Sequence, residues 1–123
     1  MKSDELLAAA EATSIAEGID EWHGLMKVLL KHLSVLPIPS EIQSSLETAE
    51  AYWSGDRPLN TEDLESAKSR TWDYVHSFPG RTDLKTQEGR TARDLLCVTE
   101  PDGDIEMQSM TADWFAAMIW NES

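Results

Sequence analysis

The chain has 123 residues, of which 41% are hydrophobic and 27% charged. This length predicts a single folded domain over residues 1–123, and the composition is that of an ordinary globular protein. There are 23 acidic residues against 10 Lys and Arg, so the formal net charge is −13. Such a charge argues against direct binding to nucleic acid or to an anionic membrane, which need basic patches, and favours a basic protein partner.

The first residues and the cysteine content bear on location. Asp4 and Glu5 stand where a secretory signal would carry basic residues, and the longest apolar run, residues 114–120, is too short to cross a bilayer. The lone cysteine, Cys97, cannot form an internal disulfide. We therefore expect a cytoplasmic protein without a membrane segment.

Two helices are predicted in the first third of the chain. Ser3 is a suitable N-cap, and apolar residues follow it at helical spacing. Gly18 interrupts this helix, and Asp20 can cap a second one. An apolar stripe at steps of three and four residues extends from there to Leu33 and predicts an amphipathic second helix.

Prolines and caps delimit the next two helices. The two prolines within residues 36–39 cannot continue a helix and predict a stiff connector. Ser40, with Gln43 three residues later, has the capping-box pattern and predicts the start of a third helix, which Gly55 ends. Asn60 can cap a fourth helix, which a Pro-Gly pair terminates.

Residues 91–108 admit two interpretations. Asp102-Gly103 is typical of tight hairpin turns between short strands, whereas residues 92–96 suit a helix, which we favour. Thr111 then caps a last short helix over residues 112–120. The predicted fold is a mainly α, compact bundle of five to six helices, with a possible short β-hairpin near residues 95–108.

Two Asp-x-x-His pairs are candidate metal ligands. Asp20 with His23, and Asp73 with His76, lie on predicted helices at a spacing that points both side chains the same way. Di-metal helical bundles use a carboxylate and a histidine three residues apart on each of two helices, but their carboxylate is Glu. We favour partly exposed helix positions for these residues and predict no metal or cofactor; a metal-dependent bundle enzyme is the alternative.

A second metal pattern lies near the C-terminus. Asp102, Asp104, Glu106 and Asp113 occupy the first, third, fifth and twelfth positions of a calcium-binding EF-hand loop. The sixth position of that loop requires glycine for a sharp turn and is Met107 here. We interpret the match as a coincidence of an acidic chain.

Catalysis has no positive signal in the sequence. Cys97 lies between apolar residues, a setting that raises the pKa of a thiol and predicts a small core residue. Gly80 and Gly89 stand alone and form no phosphate-binding loop, and no serine has a nucleophile-elbow context. The sequence therefore predicts no enzymatic activity.

The last segment combines acidic and aromatic residues. From Asp94 onward the chain has no Lys or Arg and seven acidic residues. The last predicted helix is apolar around nearly its whole circumference, so either the fold encloses it or one face meets a partner. Carboxylates speed encounter with a basic partner, and aromatic side chains supply binding energy on contact. The predicted partner-binding residues are Asp102, Asp104, Glu106, Asp113, Trp114 and Trp120.

Several short motifs resemble those of one protein group. They are Ala51-Tyr52-Trp53-Ser54-Gly55, Asp63-Leu64, Arg70 with Trp72, and residues 92–97 with the sequence Ala-Arg-Asp-Leu-Leu-Cys. The chain resembles the small helical immunity proteins that accompany bacterial polymorphic toxins. The resemblance implies a cytoplasmic inhibitor that binds one cognate toxin, and it transfers no catalytic residue.

The sequence is thus interpreted as a non-enzymatic binding protein whose acidic, aromatic C-terminal surface occupies a basic site on a partner. Two further alternatives stay open. Carboxylates could imitate phosphates on a nuclease or DNA-binding protein, or the last helix could join two copies of the chain into a homodimer.

Overall fold

The computed structural model describes residues 2–55, 60–80 and 82–120, and these residues form a mainly α bundle. Short 3₁₀ turns occur at Ser40–Ile42, Thr82–Leu84 and Cys97–Thr99. The described residues contain no β-strand, so the predicted bundle is confirmed. The α-helices are α1 (Ser3–Glu17), α2 (Glu21–Leu33), α3 (Gln43–Ser54), α4 (Thr61–His76), α5 (Gln87–Leu96) and α6 (Ile105–Trp120).

Side-chain caps fix the starts of two predicted helices. The Asp20 carboxylate accepts a hydrogen bond from the His23 amide at 2.8 Å and begins α2. Asn60 and Asp63 exchange side-chain and backbone hydrogen bonds and so begin α4. Both predicted N-caps are confirmed.

Two other predicted starts are wrong by a few residues. Ser3 is the first helical residue of α1, and Lys2 occupies the N-cap position. Ser40 opens a 3₁₀ turn and its hydroxyl donates to the Glu41 carboxylate, so α3 begins only at Gln43 without a side-chain cap.

α5 and a 3₁₀ turn cover residues 91–99, residues 100–104 form an irregular connection, and α6 follows, so the hairpin alternative is wrong. After α5 and its 3₁₀ turn, the chain enters α6 at Ile105 rather than at residue 112. The reason is Asp104, whose carboxylate accepts a hydrogen bond from the Met107 amide at 2.9 Å and caps the helix seven residues before the predicted cap, Thr111. Thr111 lies inside α6 and is not a cap.

Two buried tryptophans anchor the connection between α5 and α6. The Trp22 indole N–H donates to the Glu100 carbonyl at 2.9 Å, and the Trp53 indole N–H donates to the Val98 carbonyl at 2.8 Å. Both rings belong to the core, at 4% and 5% exposure. Because α2 and α3 carry these rings, the connection is tied to the centre of the bundle.

Trp72 occupies a different environment. It is half-buried on α4 and packs beside the core. The Arg93 guanidinium lies 5.0 Å from its ring centroid and also donates to the Asp83 carboxylate at 2.8 Å. Trp72 therefore links α4 to α5 through a cation–π contact that holds a partly buried ion pair in place.

Gly24 permits the close packing of α1 against α2. A Cβ atom at this position would lie 2.5 Å from the Ala10 carbonyl oxygen and 3.3 Å from the Ser14 Cβ. The backbone of a helix cannot move aside to relieve such an overlap, whereas the end of a flexible side chain can. The absence of a side chain at Gly24 thus sets the short distance between α1 and α2.

We expect Gly24→Ala to destabilise the fold. In an exposed helix the same change stabilises by about 1 kcal/mol, because glycine loses more backbone entropy than alanine. The steric conflict with α1 reverses that sign, and the free energy of unfolding measured in urea should fall by about 1–3 kcal/mol. Ser44→Ala, on the exposed side of α3, is the control and should be nearly neutral. An unchanged or higher stability of the Gly24→Ala protein would contradict this packing.

Within the described residues, no helix is both long enough and apolar enough to span a membrane.

Candidate protein-binding face

Helix α6 is apolar on both sides, and the fold covers only one of them. Ala112, Phe115 and Ala116 point into the core with exposures of 3% or less. On the opposite side, Met107, Met110 and Trp114 are 38%, 68% and 40% exposed. Since these three residues follow one another at steps of three and four, they form one row along the helix.

Carboxylates flank this apolar row. Glu106 and Asp113 are both exposed and lie seven residues, or two helical turns, apart on one side of the row. Asp102 and the capping residue Asp104 lie at the N-terminal end of α6. We call Asp104, Glu106, Met107, Met110, Asp113 and Trp114 the α6 face.

The carboxylates of the α6 face are not neutralised. Among the described residues, no Lys, Arg or His lies within ion-pair distance of Asp104, Glu106 or Asp113. The described ion pairs involve other acids, namely Glu17, Asp83 and Glu100. The α6 face is therefore an exposed apolar row beside carboxylates that have no cation of their own.

Five of the six predicted partner-binding residues lie in or beside this face. Trp120 does not belong with them. Its half-buried ring makes an edge contact with His32 of α2, at 5.1 Å between centroids, and lies 6.0 Å from Phe115. We therefore assign Trp120 to the packing of α6 on the bundle. Partial burial of His32 in the fold lowers the pKa of its imidazole.

The sequence interpretation missed Met107 and Met110 as surface residues. Their spacing with Trp114 is visible in the sequence, but only a helix that begins at Ile105 aligns all three. Because the helix was predicted to start after Thr111, both methionines fell outside it. Methionine suits a contact surface, since its unbranched, polarisable side chain adapts to different shapes.

The residues of the EF-hand pattern do not form a loop. Glu106 and Asp113 are both side chains of α6, about 10.5 Å apart along its axis, whereas an EF-hand wraps twelve residues of irregular chain around one ion. The acidic residues of the pattern therefore do not have the geometry of an EF-hand loop.

The two Asp-x-x-His pairs have structural contacts of their own. Asp20 caps α2, and the Nε2 atom of His23 lies 2.7 Å from the Trp53 carbonyl oxygen. His76 stacks on Trp72 at 5.3 Å between centroids. In residues 2–55, 60–80 and 82–120, no three His, Cys, Asp or Glu side chains are arranged to share a metal ion. The geometry does not assemble the bundle-enzyme site.

Cys97 is half-buried at the end of α5, where its Sγ lies 3.9 Å from the Arg93 carbonyl oxygen. Burial, with a smaller effect from the neighbouring Asp94, raises the pKa of this thiol well above its usual value. A thiol held in its protonated form is a poor nucleophile. The structure thus places Cys97 in a packing role.

Asp94 is the most unusual ionisable residue in the interior. Its side chain is completely buried, and neither carboxyl oxygen has a hydrogen-bond partner among the described residues. Burial raises the pKa of Asp94 to about 9. The group is therefore a neutral carboxylic acid near pH 7, because an unpaired charge in this position would lose its hydration without compensation.

We expect Asp94 to make the protein less stable as pH rises. The folded state retains a proton that the unfolded chain releases above about pH 4. The contribution of Asp94 to the free energy of unfolding is thus complete below that pH and declines toward pH 9, by up to about 1.4 kcal/mol per pH unit. Between about pH 5 and pH 8, the free energy of unfolding measured in urea should depend less steeply on pH for the Asp94→Asn protein than for the unaltered protein.

Asp73→Asn provides the matched control, because Asp73 lies exposed on α4. It should leave the pH dependence as it is in the unaltered protein. Parallel stability curves for the Asp94→Asn protein and the unaltered one would show that Asp94 is hydrated or paired in solution.

A groove of about 590 Å³ lies between α2 and α3. Its rim carries both signs of charge, from Lys27 and Lys31 on one side and Glu50 on the other, and Lys27 is already paired with Glu17 at 2.5 Å. Because its rim carries both charges, the groove does not favour a ligand of one charge, whereas every charged residue of the α6 face is acidic.

Comparisons with protein-family models, with curated proteins and with solved structures found no match to this chain.

Proposed function

We propose that this protein is a non-enzymatic binding protein that inhibits a basic protein partner by covering it with the α6 face. One observation carries the proposal: Met107, Met110 and Trp114 form an exposed row whose flanking carboxylates have no cation within the described residues. Solvent exposure of such a row has an energetic cost that contact with a partner removes.

The two components of the α6 face have different roles in binding. Trp114 and the methionines gain free energy when they leave water, and tryptophan is the residue type most enriched among those that dominate interface energetics. Glu106 and Asp113 accelerate encounter with a positively charged surface and repel an acidic one. Affinity therefore comes mainly from the row, and partner choice from the carboxylates.

Charge favours a basic partner over a second copy of this chain. In a symmetric dimer the same patch would face itself, and antiparallel α6 helices would bring Glu106 and Asp113 of one copy close to the same residues of the other. The chain as a whole carries a net charge of −13, which adds long-range repulsion. A cationic protein surface meets no such repulsion.

The identity proposed for that partner is a bacterial toxin domain, on the resemblance to immunity proteins of polymorphic toxin systems. Several residues that carry the resemblance are core residues, among them Trp53, Leu64 and Leu95. The α6 face lies outside those motifs. This division suits a group of inhibitors that share a scaffold while each member recognises its own toxin through a separate surface. A cytoplasmic location belongs to the same proposal.

The test is quantitative recovery of the partner by tagged variants of the full chain in its native cells. With the unaltered protein we expect a basic protein at a one-to-one ratio. Trp114→Ala should reduce its recovery at least tenfold, which corresponds to about 1.4 kcal/mol. Glu106→Lys with Asp113→Lys should reduce it further at low salt, because the steering charges are reversed.

Glu62→Lys with Glu65→Lys is the matched control, since both residues are exposed on α4 and the net charge change is identical. Far-ultraviolet circular dichroism confirms that each variant is folded. Equal recovery by the control and the Glu106→Lys, Asp113→Lys protein would refute a specific face. Competition by duplex DNA for the recovered partner identifies phosphate mimicry as the mode of inhibition.

A further inference from the structure

A second recess adjoins the α6 face between α1 and α6. It is a groove of about 360 Å³ lined by apolar residues, among them Leu7 and Ile105, and by the polar side chains of Gln108 and Ser109. Ile105 is 75% exposed, although it lies two helical turns before the buried Ala112 and therefore on the side of α6 that packs on the core further along the helix. The rim of the groove carries Asp4, Glu11 and Glu21.

The groove and the α6 face are neighbouring parts of one surface. Successive helical residues are rotated by about 100°, so Glu106 and Asp113 lie between the side of Ile105 and the side of Met110. A partner segment that contacts Met110 and Trp114 therefore needs to extend only across one row of carboxylates to reach the groove.

The chemistry of the groove matches a long cationic side chain. Every ionisable side chain among its described lining residues is a carboxylate, and none of Asp4, Glu11 and Glu21 is paired with a Lys, Arg or His in the part of the chain that the structure describes. Asp4 and Glu11 are two helical turns apart on α1, with Leu7 between them. A cation placed here would have apolar walls beside its stem and carboxylates around its head.

Arginine fits this description better than lysine. Its methylene stem packs on apolar side chains while its charged end stays near water. The guanidinium is weakly hydrated and presents five N–H donors in one plane, so it can bond with carboxylates that come from different helices. The lysine ammonium is compact and strongly hydrated, presents no planar set of donors, and loses more hydration on leaving water.

We propose that the groove between α1 and α6 receives an arginine side chain of the partner, adjacent to the apolar residues that contact the α6 face. The inference rests on the proposed function and extends the interaction surface to Asp4, Leu7, Glu11, Glu21 and Ile105. The partner's docking segment is accordingly amphipathic, with arginine beside its apolar contact residues.

The experiment uses the full chain with labelled Leu and Ile methyl groups. One probe is N-acetyl-arginine amide, compared with N-acetyl-lysine amide. The other is a synthetic helical peptide with arginine beside leucine at three- and four-residue spacing. The Leu7 and Ile105 methyl resonances report on the groove, and the Trp114 indole resonance reports on the α6 face.

We expect saturable shifts at Leu7 and Ile105 with the arginine amide, and at least threefold weaker binding of the lysine amide. Glu11→Gln with Glu21→Gln should weaken arginine binding at least fivefold, whereas Glu62→Gln with Glu65→Gln on α4 should leave it unchanged. Equal losses from the two double variants would show that net charge alone attracts the probe, and would overturn the groove.

The peptide separates this inference from the function on which it rests. A response at Trp114 without one at Leu7 and Ile105 retains the α6 face and overturns the groove. A response at neither location overturns the groove and also counts against a basic amphipathic partner. We also expect Glu106→Gln with Asp113→Gln to weaken peptide binding and to leave arginine amide binding intact. This result would support the assignment of the arginine to the groove and of the apolar contact to the α6 face.

Discussion

Two hydrogen bonds from buried indoles determine how the C-terminal half of this protein is arranged. Trp22 and Trp53 each use their single donor on a backbone carbonyl of the connection between α5 and α6, namely those of Glu100 and Val98. An indole N–H buried without an acceptor costs about 1–3 kcal/mol, so the connection is held where it satisfies both. Gly103 lies against the same Trp22 ring, and a Cβ there would be 2.6 Å from it. The chain therefore leaves the core in one direction and α6 must begin where Asp104 can cap it.

The exposed row on α6 follows from that arrangement. Once the start of the helix is fixed, the contacts of Phe115 and Ala116 with the core fix its rotation, and the second apolar side, with Met107, Met110 and Trp114, faces outward. The fold has no further element to cover Met110 and Trp114 within the described residues. The acidic residues beside them keep this exposed apolar surface hydrated and would favour a positively charged partner over an acidic one.

Local patterns in the sequence were sufficient for the helical class and for the starts of α2 and α4, because a cap and an apolar stripe are encoded within one or two turns. They were insufficient for residues 91–108. Asp102-Gly103 is a good hairpin turn by itself, and what excludes the hairpin is a pair of bonds to tryptophans 45 and 78 residues away in sequence. For the candidate surface, the sequence indicated that acidic and aromatic residues would be involved, and Trp114 and the acids do lie on or beside the α6 face. Which other residues share that face depends on the rotation of α6. Because the start of α6 was misplaced, Trp120 was wrongly grouped with the face and the two methionines were missed.

Charge is distributed so that binding and stability are coupled. Burial raises the pKa of Asp94, whose carboxyl oxygens have no hydrogen-bond partner among the described residues, and so keeps this group neutral. The basic side chains of Lys27, Lys68 and Arg93 are used in ion pairs within the fold. The carboxylates around α6 consequently repel one another without local compensation. The cationic partner proposed above would relieve that repulsion and bury the apolar row in the same contact, so its binding free energy would add to the stability of the fold by mass action. If the proposed basic partner binds the α6 face, the features that make α6 costly to expose in the free protein would therefore stabilise the complex.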